Sequence, residues 1–154
     1  MQLSSEAVAE GGTIDIAQVE PTCGGRNVSP DLTWSDAPEA TKSFAITCFD
    51  PDAPTGSGWW HWIAIDLPAH LTSLSAGQGP DASYRQWGND FGYPGYGGPC
   101  PPPGPAHRYV FTVHALDVEK LDVPDEATSA VCRFNLFAHE LDSASITATF
   151  GLPQ

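Results

Sequence analysis

Basic residues are scarce in this chain. Six Lys and Arg stand against nineteen Asp and Glu, giving a formal net charge of −13 at pH 7. That balance argues against nucleic acid and against an anionic bilayer as partners, because either needs clustered cations to displace counterions. The acidity serves solubility instead. Long apolar runs are missing as well. No stretch approaches the ~18 apolar residues of a membrane span, and Met1 to Glu6 has neither a basic start nor an apolar core. The sequence therefore predicts a cytoplasmic protein with no stable membrane insertion.

Cysteine is sparse: Cys23, Cys48, Cys100 and Cys132 are widely spaced and form no CxxC pair. That is neither a disulfide framework nor a structural zinc pattern, although one bridge stays open. Cys48, inside an apolar run, reads as a buried thiol. Also absent are a G-x-S-x-G elbow, a Walker lysine loop and a dinucleotide fingerprint. Ser57 in Thr55-Gly56-Ser57-Gly58 is a turn serine with no evident base, and the sequon Asn27-Val28-Ser29 carries no weight without a secretory route.

What is abundant is apolar and aromatic. Hydrophobic residues make up 41% of the 154, with five Trp, seven Phe and four Tyr. A single domain over 1–154 can bury roughly 70% of its extended-chain surface, enough for a core without staples. Strand signals dominate. Ile14, Ile16, Ala17 and Val19 open an apolar alternation. Ser43 to Phe49 runs straight into Asp50, Trp59 to Leu67 and Tyr109 to Ala115 are long aromatic and β-branched stretches, and Ser145 to Phe150 alternates. Pro124-Asp125-Glu126 starts one helical region over Ala127 to Leu141, with Val131, Phe134, Phe137 and Leu141 near helical spacing and Asn135 as a candidate break. Leu71 to Pro105 is poor in aliphatics and rich in Gly and Pro, a connection of a length that is usually functional when ordered.

Two proline-stiffened segments carry the chemistry: Asp50-Pro51-Asp52-Ala53-Pro54, and Gly98 to Pro105 leading into Ala106-His107-Arg108-Tyr109. Proline fixes φ and removes a donor, so such segments lose little entropy on ordering, as a preformed small-ligand site requires. Strand parity puts His61 on one face with Ile63 and Ile65, and aligns His107 with Tyr109 and Phe111. His114 falls on the opposite face, and with His70 and His139 reads as packing or surface. Asp50 and Asp52 are turn formers by residue type. With the strands from Ser43 and Trp59 adjacent, however, Asp50 would lie near His61 and orient its ring. Two histidines so arranged make a small anion site. A metal held by Asp50, Asp52, His61 and His107 has suitable ligand types but no supporting spacing. A Cys100 nucleophile with His107 as base is a weaker alternative still.

Taken together, Asp50 to Pro54, Trp59-Trp60-His61-Trp62 and the Gly-Pro-rich loop ending in His107-Arg108-Tyr109 resemble the conserved boxes of the phosphatidylethanolamine-binding protein family. The bacterial Raf-kinase-inhibitor-like branch is the nearer likeness. Asn27 to Trp34, Gly95 to Pro102 and Ala144 to Gly151 add to it, in order from about Gly12 to Gly151. The resemblance implies a mainly β, Greek-key β-sandwich with short C-terminal helices. It also implies a pocket for phosphate, carboxylate or phospholipid-headgroup anions at Asp50, Trp59, His61, Pro99, His107 and Tyr109, with Asp52 in the same box. Ala53-Pro54 is a candidate cis bond. The segment between Pro54 and Trp59 is short and the chain ends soon after Gly151, so kinase inhibition and lipid binding transfer less well than the anion pocket. The expectation is a non-enzymatic binding module without a cofactor, with a homodimer suggested by bacterial relatives. The alternatives are a regulator docking a kinase or peptidase at the pocket and, last, a hydrolase using His61 or His107 as base.

Overall fold

A computed structural model describes residues 1–78 and 84–154. The chain runs through β1 (Gln2–Ser4), 3₁₀ turns at Ile16–Gln18 and Pro21–Cys23, β2 (Leu32–Ser35), β3 (Ser43–Asp50), β4 (Trp59–Pro68), β5 (Ser73–Leu74) and β6 (Arg85–Gln86). It then passes through β7 (His107–Leu116), α1 (Ser129–Ala138) and β8 (Glu140–Phe150). Two antiparallel sheets result, a small one ordered β1-β2-β5 and a large one ordered β6-β4-β3-β7-β8. Part of the long Leu71 to Pro105 connection, residues 79–83, lies outside the described residues.

The central strand β3 is apolar on both sides because it is covered on both sides. Phe44, Ile46 and Cys48 join Trp62, Ala64, Phe111 and Val113 against Leu32, Trp34 and Leu74 of the small sheet. Ala45, Ile63, Ile65 and Leu116 pack instead beneath Cys132 and Leu136 of α1. Each such side chain, fully buried, contributes roughly 1.5–3 kcal/mol. A sheet with one face on a second sheet and the other on a helix gives a three-layer arrangement.

Several expectations are corrected. Ile14 to Val19 is not a strand: Asp15 accepts a hydrogen bond from the Ala17 N–H and caps a 3₁₀ turn, with Ile14 and Val19 buried and Ile16 exposed. One helix, not several, stands at the C-terminal end. Asn135 does not break it, because Asn135 Nδ2 donates to the Val131 carbonyl one turn back at 3.0 Å. Its core face is Cys132 and Leu136, an i, i+4 pair, whereas Val131, Phe134, Phe137 and Leu141 are exposed. α1 stops at Ala138 because Glu140 already pairs with Leu116, so β8 begins five residues before the alternation at Ser145. No peptide bond among the described residues is cis, so Ala53–Pro54 is trans. The open question over cysteine resolves as one bridge, Cys23–Cys100, with Cys48 and Cys132 free and buried.

Parity fails at one position that matters. Cys48 pairs with Trp62 but Phe49 pairs with Trp60, so one extra residue, His61, bulges from β4. Past the bulge Ile63 and Ile65 face α1, while His61 and Trp62 both face the side shared with Tyr109 and Phe111. His61 therefore does not share a face with Ile63 and Ile65.

Candidate functional site

The end of β3 and the start of β7 lie side by side, one bearing a carboxyl group and the other an imidazole. Asp50 is buried. Its Oδ1 accepts the backbone N–H groups of Asp52 at 2.7 Å and Ala53 at 3.1 Å, and its Oδ2 accepts from His107 Nδ1 at 2.7 Å. Turn former and site residue are thus one side chain, which answers both readings of the Asp50-Pro51-Asp52 box. Because an ionised carboxylate only accepts, the bond fixes Nδ1 of His107 as a donor.

His61 is held differently from the expectation. Asp50 serves His107, and the His61 ring donates from Nδ1 to the Gly97 carbonyl at 2.7 Å. Its edges pack against Tyr109 and Phe91, with ring centroids 5.2 and 5.5 Å away. Burial pushes its pKa below the ordinary histidine value, and the Gly97 bond and the Asp50 charge offset this only in part. A neutral ring with Nδ1 donating leaves Nε2 as an acceptor, and Nε2 has no protein partner among the described residues.

A cavity of about 230 Å³ opens beside these groups. Of the anticipated residues, Asp50, Trp59, His61 and Tyr109 line it. Three do not. Pro99 is buried behind the wall, its carbonyl accepting from the Glu20 N–H at 3.0 Å. His107 lies behind Asp50, along a neighbouring open groove it shares with Pro54, Pro102 and Pro105. Asp52 faces the same groove and is committed to Arg108, accepting from its N–H, Nε and Nη2 at 2.9, 3.0 and 2.8 Å. That guanidinium holds the Asp52 carboxyl down at about 2.

Sequence reasoning missed Phe91, Pro101 and the lining role of Cys100. Only proximity in the fold brings the Asn89-Asp90-Phe91 turn against Trp59, ring centroids 5.2 Å apart. One free donor stands at the cavity, the Tyr109 hydroxyl, which makes no hydrogen bond among the described residues. A second unpaired donor, Trp59 Nε1, is buried out of contact with solvent. Burial raises the Tyr109 pKa well above the usual phenol value, so the hydroxyl keeps its proton. A roomier cleft elsewhere, about 580 Å³, includes Arg85 and Trp87, but Arg85 is already bound to Asp66, Asp125 and two carbonyls.

Two nucleophile arrangements fall away. Cys100 is bonded to Cys23 and offers no thiolate in this state. Thr47 Oγ1, His114 Nε2 and Glu140 Oε1 do form a chain, with 2.8 Å from Thr47 to His114 and 2.5 Å from His114 Nδ1 to Glu140. Thr47, however, is buried in the middle of the sheet, where no substrate reaches it. His114 is a packing histidine, as expected, and His139 makes an exposed ion pair with Asp117.

The fold is shared with known proteins. A family model described as Phosphatidylethanolamine-binding protein matches residues 4–151. The chain is 49% identical over 158 aligned positions to the UPF0098 protein YbhB of Escherichia coli K12, covering 97% of this chain and 99% of that protein. The crystal structure of E. coli YbcL, described as a new member of the mammalian PEBP family, superposes with a TM-score of 0.93 at 42% identity, covering 98% of each chain. A carboxypeptidase Y inhibitor, solved in complex with its cognate proteinase, shares the fold at a TM-score of 0.58 and 19% identity, covering 98% of this chain and 83% of that one. No helix among the described residues is long and apolar enough to cross a membrane.

Proposed function

The chain belongs to the phosphatidylethanolamine-binding protein family, and from that premise we propose that it is a non-enzymatic binding protein holding a small anionic headgroup, phosphate or carboxylate, in the cavity of Asp50, Trp59, His61 and Tyr109. The observation that carries this is the His61 ring, buried, clamped through Nδ1 by Gly97 and with Nε2 unengaged beside the cavity. A neutral ring accepts at Nε2, so the anion arrives carrying a proton or the ring takes one up on binding. Asp50 does not present a bare carboxylate to the ligand, because two N–H groups and His107 already engage its oxygens. The Tyr109 hydroxyl supplies a neutral donor, while Trp59, Phe91 and Pro101 give the cavity apolar walls. At about 230 Å³ the space suits a headgroup and not a whole lipid. The hydroxyl of Thr55, at the rim, donates to the Gly58 carbonyl at 2.5 Å and has no base, which supports binding over hydrolysis.

Calorimetric titration with phosphoethanolamine between pH 5.5 and 8 tests the reading. Above the free-state pKa of His61, affinity should fall by about tenfold per pH unit, with proton uptake visible as a buffer-dependent heat. Unchanged binding in both His61→Ala and His107→Ala would sink the assignment.

A second reading uses the same cavity as a docking point for the phosphorylated or C-terminal group of a partner kinase or peptidase. What favours it is the open proline-lined groove that meets the cavity at Pro54 and gives a peptide backbone a way out. A stoichiometric partner captured by the native chain and lost in His61→Ala would select it.

A further inference from the structure

The wall of the cavity is covalently stapled. Cys100 and Pro101 form one side of it, and Cys100 is bonded to Cys23 in the second 3₁₀ turn, with Cα atoms 5.6 Å apart across a separation of 77 residues. Just upstream, the loop is held closely. Gly97 exchanges backbone and ring hydrogen bonds with His61, Gly98 N–H donates to Asn27 Oδ1, and the Gly98 backbone packs hard against Gln18 and Glu20. Just downstream, Pro103 and Gly104 bond or bridge to Leu152. Between them lie Pro99, Cys100, Pro101 and Pro102, three of which have no N–H to donate. Among the described residues their polar and covalent ties to the rest of the protein are the Pro99 carbonyl, a 3.5 Å contact of Cys100 Sγ with Thr22 Oγ1, and the disulfide. Both bonded cysteines are partly exposed, so a reductant reaches them, whereas Cys48 and Cys132 are buried.

We propose that the Cys23–Cys100 disulfide is a redox switch on ligand binding: bonded, it fixes the cavity wall, and reduced, it frees that wall and weakens the site. The inference rests on the binding function proposed above. The chemistry is a two-electron exchange with a dithiol reductant. One thiolate of the dithiol attacks a cysteine sulfur, the S–S bond breaks, and the second thiol resolves the mixed disulfide. Cys23 and Cys100 leave as thiols and the dithiol as a cyclic disulfide. Partly exposed disulfides are the labile ones, and reducing compartments keep such pairs as thiols. The protein would therefore bind more tightly in an oxidising compartment.

The test compares the oxidised chain with the same chain in excess dithiothreitol, using phosphoethanolamine as probe and amide hydrogen exchange as a second readout. Reduction should weaken binding roughly tenfold, the cost of ordering one loosened wall. It should also speed exchange at Gly98 and Cys100 while leaving β3 and β7 unchanged, and a Cys23→Ser/Cys100→Ser chain should match the reduced state without reductant. Equal affinity in the two states overturns the switch. Where the oxidised chain binds no phosphoethanolamine, it is the binding function that fails. Exchange then decides the switch alone: acceleration at Gly98 and Cys100 upholds a redox-mobile wall, and unchanged exchange overturns it. Thiols at Cys23 and Cys100 that react before any reductant is added also overturn it.

Discussion

Replacing Asp50 by Asn tests how the two proline boxes are joined. Asp50 Oδ1 serves the turn and Oδ2 serves His107. An Asn side chain that keeps its oxygen on the two N–H groups must turn its NH₂ toward His107, donor against donor. His107 then has to move its proton to Nε2 or lose the bond. A hydrogen bond to a charged group contributes about 1.5–3 kcal/mol, and for a domain of this size each kcal/mol shifts Tm by about 2–4 °C. The expected fall in Tm is therefore about 3–12 °C, well inside what a domain with roughly 5–15 kcal/mol of stability survives. Asp52→Asn is the control. It removes the charge from a carboxylate that accepts three bonds from Arg108 and costs at least one of them, yet the pair is exposed and screened, and its Tm should fall much less. Thermal unfolding by circular dichroism at pH 7 measures both, and long-range ¹⁵N–¹H correlations of the imidazoles report the tautomer. Should Asp52→Asn cost as much as Asp50→Asn, or should the His107 tautomer stay unchanged in Asp50→Asn, the coupling of the boxes through one carboxylate is wrong.

Two further outcomes follow from the same contacts. In Gly98→Ala, the new Cβ would sit 2.0 Å from the Gln18 carbonyl oxygen and 2.8 Å from Glu20 N, so backbone must shift; a loss of about 1–3 kcal/mol in unfolding free energy, measured by urea denaturation, is expected. His61, with its folded-state pKa below 6.5, binds its proton more readily when unfolded. Its contribution is therefore full above pH 6.5 and lost as pH falls from there toward the folded value. His61→Gln should flatten the pH–stability curve just below pH 6.5, and urea midpoints at pH 7.5 and 5.5 check it.

The large sheet was legible because β3, β4 and β7 carry unbroken aromatic and β-branched runs that only strands covered on both sides would hold. The histidine–aspartate neighbourhood was legible too, but its pairing was not. Parity arithmetic steps by two and has no place for the extra residue at His61, and the carbonyl of Gly97 leaves no mark in a side-chain pattern. The apolar stripe of α1 was read on the wrong side because its exposed residues are larger and more numerous than Cys132 and Leu136, which it buries. Cys23 and Cys100 are far apart in sequence, and only the packing of Gly98 against Gln18 and Glu20 brings them into reach. Pro99 and Pro101 are equivalent by residue type, and the fold alone decides which one meets the cavity.

The bulge in β4 has a consequence for how this protein tolerates change in chain length. Counting back from Ile63, Trp59, Trp60 and His61 owe their sides to one surplus position. Deleting Trp59 and closing the bulge would turn His61 toward the helix and carry Trp60 into the cavity in place of Trp59, whereas deleting His61 itself would restore regular alternation with Trp59 and Trp60 on their own sides. Substitutions here trade one contact for another, but a one-residue deletion ahead of His61 exchanges the inside of the site for its outside. For anyone recombining or trimming relatives of this chain, the spacing between Asp50 and Trp62 is as much a functional determinant as the residues themselves.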